Sequence, residues 1–189
     1  AQEVHLAHAR HYARKDASRH TTLADAHNLR AASAWGLAAS SDEAIELGLT
    51  CLHTLITRAG LEDPPKRNHA ILTALLDRDV SPRIRALALE LRADTAWTIG
   101  LHESALDDCD TAIAMLEGLR PLDDRLMRCL IDATGGKAIH HLKRGEPELA
   151  REASELELDT LARTEHAPAA SLMRAAIIDM AMGDTARAR

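Results

Sequence analysis

The chain has 189 residues, enough for one domain or one short solenoid with a core of its own. Its formal net charge of -6 argues against a nucleic-acid partner, which would require a basic face. Hydrophobic residues make up 46% of the chain, yet it has no Phe, one Tyr and two Trp, so the core must consist mainly of Ala, Leu, Ile and Met. Those residues favour helices over strands. The composition therefore predicts an all-α protein.

Two helices are predicted at the N-terminus, over residues 1–16 and 21–39. Thr22 and Asp25 have the spacing of a capping box at the start of the second helix. The first helix carries three histidines at successive three-residue steps, His5, His8 and His11. Because such steps drift around a helix, a solvated face is favoured over a zinc site.

Residues 61–80 form an inserted segment, in which a short helix is predicted over 66–78 after a pair of prolines. The next helix starts in "SPRIRAL", with Ser81 as its N-cap and Pro82 at its first position. It meets a second one-sided helix across Gly100, so the two are predicted to form an antiparallel hairpin.

One interval returns four times along the chain, a small residue followed five positions later by Ala: "ASSDEA", "GLHESA", "GEPELA" and "GDTARA". Another Ala precedes each of these final alanines by twelve residues. Small side chains near a turn let two helices approach closely, and Gly supplies the left-handed conformation that ends the first helix. Each unit is therefore predicted to be a helix hairpin that stacks on the next. The residues assigned to this packing are Ala32, Ala44, Ala93, Gly100, Ala105, Ala138, Gly145, Ala150, Ala176 and Gly183.

This pattern resembles the tetratricopeptide repeat (TPR), a helix–turn–helix unit of about 34 residues with small residues at positions 8 and 20 and Gly near 15. The family's large residues and its period are not matched. The resemblance implies a single domain over 1–189, a right-handed superhelical stack of eight or nine helices, of the divergent long-helix type found in bacterial regulatory proteins. Its units cover 25–58, 86–119 and 131–164, and 169–189 as a truncated unit. Because a truncated end would need a cap, we expect the chain to be part of a longer protein.

In this family the first helix of each unit lines a concave groove. The resemblance implies a groove with an apolar floor and an acidic centre, suited to an apolar or basic segment. Trp97 is its expected anchor, with packing between repeats as the alternative. The family's clamp for acidic tails is disfavoured, because its Lys and Asn positions hold other residues here. The implied groove residues are Leu29, Ser33, Gly36, Leu37, Leu87, Glu90, Asp94, Trp97, Thr98, Asp132, Ile139, Leu142, Lys143, Met173, Ile177 and Met180.

Other motifs lack a residue that their chemistry needs. "ATGGKA" resembles the end of a phosphate loop but has Ala138 where Ser or Thr is required, which favours a closely packed or kinked helix. "LHESAL" lacks the second His of an HExxH zinc site. "DDCD" at 107–110 indicates a solvated acidic stripe. Without CxxC spacing, Cys51, Cys109 and Cys129 are predicted to be buried rather than bonded to each other or to zinc.

These patterns predict a non-enzymatic helical-repeat module of a larger bacterial signalling or regulatory protein. Its expected partner is a protein or peptide, with no catalytic residue, metal or cofactor within 1–189. A ligand- or pheromone-sensing domain and a dimerising structural segment remain alternatives, the latter as a homodimer. No apolar run is long enough to span a membrane. We expect a cytoplasmic location, with the periplasm as the alternative, because the chain starts at Ala1 rather than Met.

Overall fold

The computed structural model describes residues 23–57, 64–163 and 169–183, together with five helical positions near the N-terminus: Glu3, Leu6, Ala7, Arg10 and His11. Every regular secondary-structure element among these residues is a helix, as predicted, and none is a strand. Their helices are α1 (Leu23–Ala38), α2 (Asp42–Thr57), α3 (Pro65–Leu76), α4 (Pro82–Thr98), α5 (His102–Gly118), α6 (Asp124–Lys143), α7 (Pro147–Leu161) and α8 (Ala169–Ala181). Each is too short or too polar to cross a bilayer. The predicted Thr22 capping box, His5 and His8 lie outside the described residues.

The helix starts follow local sequence signals. Ser81 caps α4, where its Oγ accepts a hydrogen bond from the Ile84 backbone N–H over 3.4 Å. Asp123 caps α6 in the same way, accepting from the Leu126 N–H over 3.0 Å. The helix expected within residues 61–80 is also present, as α3. Short-range chemistry therefore accounts for where these helices begin.

The predicted glycine turns are present at Gly100 and Gly145, whose φ angles are +89° and +76°. In both, the Gly N–H donates to the carbonyl three residues back and the following N–H to the carbonyl five residues back, over 2.8 to 3.0 Å. This is the Schellman arrangement, which satisfies the last carbonyls of a helix while reversing the chain. Gly183 ends α8 with the same φ of +76°. The three copies of the interval that begin with Gly therefore mark equivalent helix ends, whereas the first copy begins at Ala39, which has no left-handed conformation.

The first hairpin, α1 with α2, packs backbone against backbone. A Cβ on Gly36 would lie 2.5 Å from the Ala44 carbonyl oxygen and 2.7 Å from the Gly48 Cα. A Cβ on Gly48 would lie 2.8 Å from the Leu37 backbone nitrogen. All three distances are shorter than the van der Waals contact of a Cβ atom with another heavy atom. Residues without a side chain are therefore required at this crossing.

Four helices lie in a row, in which α2 contacts α4, α4 contacts α6 and α6 contacts α8. The remaining later helices each contact the next member of the row, α3 against α4, α5 against α6 and α7 against α8. Helix α3, from the segment expected to be an insertion, thus contacts the following member of the row as α5 and α7 do, whereas α5 and α7 also pack closely on the preceding member. The N-terminal hairpin consequently contributes its second helix, α2, to the row, and α1 packs behind it.

The core consists of Leu, Ala and Ile side chains, and all three cysteines are buried and free, as predicted. The "DDCD" stripe is solvated at Asp107 and Asp110 only. Asp108 is buried and accepts two hydrogen bonds from Arg92, over 2.8 and 2.7 Å, which tie α5 to α4. Of the small residues assigned to packing, the buried ones are Ala32, Ala44, Ala93, Ala105, Ala138 and Ala150, with Ala176 half-buried.

Replacing Gly48 by Ala is expected to lower the free energy of unfolding by about 1–3 kcal/mol, because its Cβ would force the two backbones apart. The matched control is Gly118→Ala, where nothing lies within 4 Å of the new Cβ. That variant should change stability by less than about 1 kcal/mol. Chemical denaturation followed by circular dichroism compares them, and equal stabilities would contradict the close crossing.

Candidate binding site

A pocket of about 370 Å³ opens on the face shared by the four helices of the row. Helix α2 contributes His53 to its wall, and α8 contributes Arg174. The centre is formed by α4 and α6, which supply three carboxylates, an aromatic ring, a second imidazole and the backbone of two glycines. The pocket therefore combines a negative centre with a partly apolar wall.

Glu90, on α4, is the most unusual of these carboxylates. It is only 8% exposed and forms no hydrogen bond or ion pair with any residue that the structure describes. Burial raises the pKa of Glu90 well above its ordinary value, and the charges of Asp132 and Asp94 raise it further, against a smaller opposing effect of Arg125. A buried and unpaired carboxylate is costly in a folded protein. Glu90 therefore marks an unsatisfied position in the pocket.

The two neighbouring carboxylates share this environment. Burial raises the pKa of Asp94, although the charges of Lys143 and Arg174 oppose the rise. Burial raises the pKa of Asp132 to about 6, against the lowering effect of Arg128, and the charge of Asp94 adds to the rise. Each group resists ionisation because it is desolvated. The cations around the pocket thus compensate its negative charge only in part.

The aromatic wall joins α4 to α6. The ring of Trp97 stacks on His140, with centroids 4.2 Å apart and planes 6° apart, and also meets His102 at 4.2 Å. His140 is 4% exposed, and neither ring nitrogen has a hydrogen-bond partner among the described residues. Burial lowers the pKa of His140 to about 4, helped by the charges of Lys143, His102 and His141, so its ring is neutral at pH 7. Trp97 therefore both lines the pocket and packs two helices together.

Arg174 is held away from the pocket carboxylates by Glu157 of α7. Glu157 is fully buried and accepts hydrogen bonds from the Arg174 guanidinium and, over 2.5 Å, from Ser171 Oγ. A Cβ on Gly135 would lie 2.7 Å from a guanidinium nitrogen of Arg174, so this cation rests against bare α6 backbone. At Gly136 the nearest atom, Cys109 Sγ, is 4.0 Å away. The closely packed helix predicted for "ATGGKA" is thus present at the first glycine, and the second leaves space.

The structure brings seven of the sixteen predicted groove residues together at this pocket: Glu90, Asp94, Trp97, Thr98, Asp132, Ile139 and Lys143. Gly36 and Leu37 are buried on α1, and Met180 is exposed on α8. Leu29 and Leu87 belong to the larger of two clusters of buried hydrophobic residues, and Leu142 packs against the smaller one. Ser33 is buried on α1, because α1 lies behind the row. Met173 and Ile177 are exposed on α8 and do not line the pocket.

Sequence reasoning missed His53, Gly136, His140 and Arg174. His140 and its neighbour His141 point apart, as adjacent helical residues do: His140 stacks on Trp97, and His141 Nδ1 lies 2.7 Å from Glu146 Oε2. The sequence does contain a pattern that predicts two of them. On α6, Asp132, Gly136 and His140 are spaced four residues apart, so they lie on the same helix face. Arg174 carries no such signal, because Glu157 and Gly135 position it through tertiary contacts.

In the part of the chain that the structure describes, no group of three His, Cys, Asp or Glu side chains is placed to hold a metal ion. Comparison with protein-family models, curated proteins and solved structures finds no match for this chain. The resemblance to tetratricopeptide repeats therefore rests on the sequence pattern alone.

The two adjacent glycines of α6 should respond differently to alanine. Gly136→Ala is expected to raise stability by up to about 1 kcal/mol, because Ala is the better helix former and space is available. Gly135→Ala should be about 1–2 kcal/mol less stable than Gly136→Ala, because its Cβ displaces the Arg174 guanidinium from buried Glu157. Urea denaturation of both variants measures the difference, and equal midpoints and slopes would contradict this contact.

Glu90→Gln is expected to stabilise the protein at pH 7. A carboxyl whose pKa is raised by folding binds its proton more tightly in the folded state, so stability falls as the pH rises from the unfolded to the folded pKa. The Gln variant escapes this loss, and its advantage should vanish near pH 4, where the carboxyl is protonated in both states. Unfolding free energies measured from pH 4 to 7 test this. A less stable variant at pH 7 would show that Glu90 has a stabilising partner.

Proposed function

We propose that the chain is a non-catalytic, TPR-like helical-repeat module that binds an extended segment of a protein or peptide on the face shared by α2, α4, α6 and α8. In this proposal the row forms the inner side of a short superhelix. The recurring Schellman turns support repetition of one hairpin unit. The contacts of α2, α4, α6 and α8 along the row support a common binding face.

The observation that carries this proposal is the pocket at the middle of the row. Its lining comes from four different helices and includes a half-buried Trp, isoleucine side chains, and Glu90 and His140, whose side chains form no hydrogen bond with the described residues. Surfaces that bind peptides combine an aromatic or aliphatic anchor with nearby polar groups that fix orientation. A segment that lies across α4 and α6 would place one side chain in this pocket.

A second candidate is a sensor of a small ligand. The pocket volume of about 370 Å³ falls in the lower part of the range for small-molecule sites, and Trp97 faces it. A sensor would enclose its ligand completely, whereas a peptide-binding module would contact residues on both sides of the inserted side chain. Length dependence separates them: extending a bound ligand by flanking residues should increase affinity only for the peptide-binding module.

The experiment selects peptides of seven to twelve residues from a random library against the wild-type protein and measures their affinity by fluorescence anisotropy. Gly136→Leu should weaken binding at least tenfold, because the new side chain fills the pocket from a position where its Cβ has space. The control is Gly118→Leu on α5, which is exposed and outside the pocket, and it should change affinity less than twofold.

Two results would contradict this function. One is a selection in which every peptide binds with a dissociation constant above about 100 µM. Such an affinity is too weak for peptide recognition. The other is a set of binders whose affinity Gly136→Leu leaves unchanged, because such peptides would use another surface. Circular dichroism of both leucine variants confirms that each is folded.

A further inference from the structure

We propose that the Glu90 pocket receives the cationic end of a Lys or Arg side chain carried by the bound segment. This inference rests on the proposed function and specifies which chemistry the pocket selects. The residues that would meet the cation are Glu90 and Asp94 of α4 and Asp132 of α6, beside the Trp97–His140 wall.

The first reason is the unsatisfied state of Glu90. The carboxyl is more than nine-tenths buried, lines the pocket and has no hydrogen-bond or ion-pair partner among the described residues. An uncompensated buried charge costs the fold several kcal/mol unless a partner or a proton neutralises it. An entering ammonium or guanidinium group would supply that partner and would be held in a site of low dielectric constant, where ion pairs are strong.

The second reason is that the protein's own cations are engaged elsewhere or remain at a distance. Arg174 is bound to buried Glu157. Lys143 has its Nζ 5.6 Å from the centroid of the Trp97 ring and forms no ion pair within the described residues. Arg125 influences Glu90 electrostatically without forming an ion pair with it. The position beside Glu90 is therefore available to a cation from outside.

The third reason is the supply of acceptors. Three carboxylates, Glu90, Asp94 and Asp132, line one pocket, and ionised carboxylates are acceptors only. A guanidinium presents five N–H donors in a planar fork, and an ammonium presents three. An acidic side chain would instead meet like charges.

The primary test uses N-acetylarginine amide and N-acetylcitrulline amide, which have nearly the same shape but differ in charge. Binding is followed by the indole N–H signals of the two Trp residues in a ¹H–¹⁵N spectrum, with Trp97 assigned from a Trp97→Phe variant. The arginine compound should shift the Trp97 signal saturably in the millimolar range, and the citrulline compound should bind at least tenfold more weakly. Equal shifts by both compounds, or a shift at neither, would overturn the proposal.

The second arm asks which carboxylate provides the charge. Glu90→Gln should weaken binding of the arginine compound at least tenfold while the protein stays folded. The control is Asp107→Asn, which removes the same charge from an exposed position on α5. It should change affinity less than twofold. Equal effects of the two substitutions would show a general attraction by net charge and would overturn a site at Glu90.

The peptide selection separates this inference from the proposed function. Peptides that enter the pocket and contain Lys or Arg at one fixed position support both. Peptides that Gly136→Leu blocks but that need no basic residue would overturn the cation site and leave peptide binding intact. Binding of the arginine compound without binding of any peptide would leave the cation site and contradict the proposed peptide-binding function.

Discussion

The left-handed glycine turn is the constraint on which the site depends. It ends α4 at Gly100 and α6 at Gly145 with the same hydrogen-bond pattern, so the two helices present equivalent positions to one face. Counted back ten residues from each turn, those positions hold Glu90 on α4 and Gly135 on α6. One helix therefore supplies a carboxylate where its neighbour supplies only backbone. At Gly135 the Arg174 guanidinium occupies the position of a side chain, and the next residue, Gly136, leaves the open space.

The electrostatics of the pocket oppose stability, and in the proposed function they favour the binding of a cation. Burial raises the pKa of Glu90, Asp94 and Asp132 together, which means that folding makes each of these groups harder to ionise. Elsewhere the same protein pairs its buried carboxylates fully: Asp108 with Arg92, and Glu157 with Arg174. The contrast indicates that the unpaired state of Glu90 is a property of this site rather than of the fold. Sites that trade stability for binding are expected to have this character.

Much of the local structure could be predicted from the sequence. The glycine turns, the Ser81 cap and the buried cysteines follow from short-range signals. Glu90, Asp94 and Trp97, which the resemblance assigned to one surface, do line the same pocket. The role of α2 could not be predicted, because the backbone crossing at Gly36 and the neighbours of α3 are tertiary features. The same holds for the missing partner of Glu90, which depends on the positions of cations from two helices, α6 and α8, that sequence spacing does not bring together.

The pKa of the Glu90 side chain in the free protein is the measurement to make, from the pH dependence of its carboxyl ¹³C signal, assigned with Glu90→Gln. We expect a value clearly above the ordinary glutamate value of 4.5, and a decrease when N-acetylarginine amide saturates the pocket. A value at or below 4.5 would show that Arg125 or another internal cation already pairs with Glu90. In that case the pocket would have no unsatisfied charge to offer a ligand.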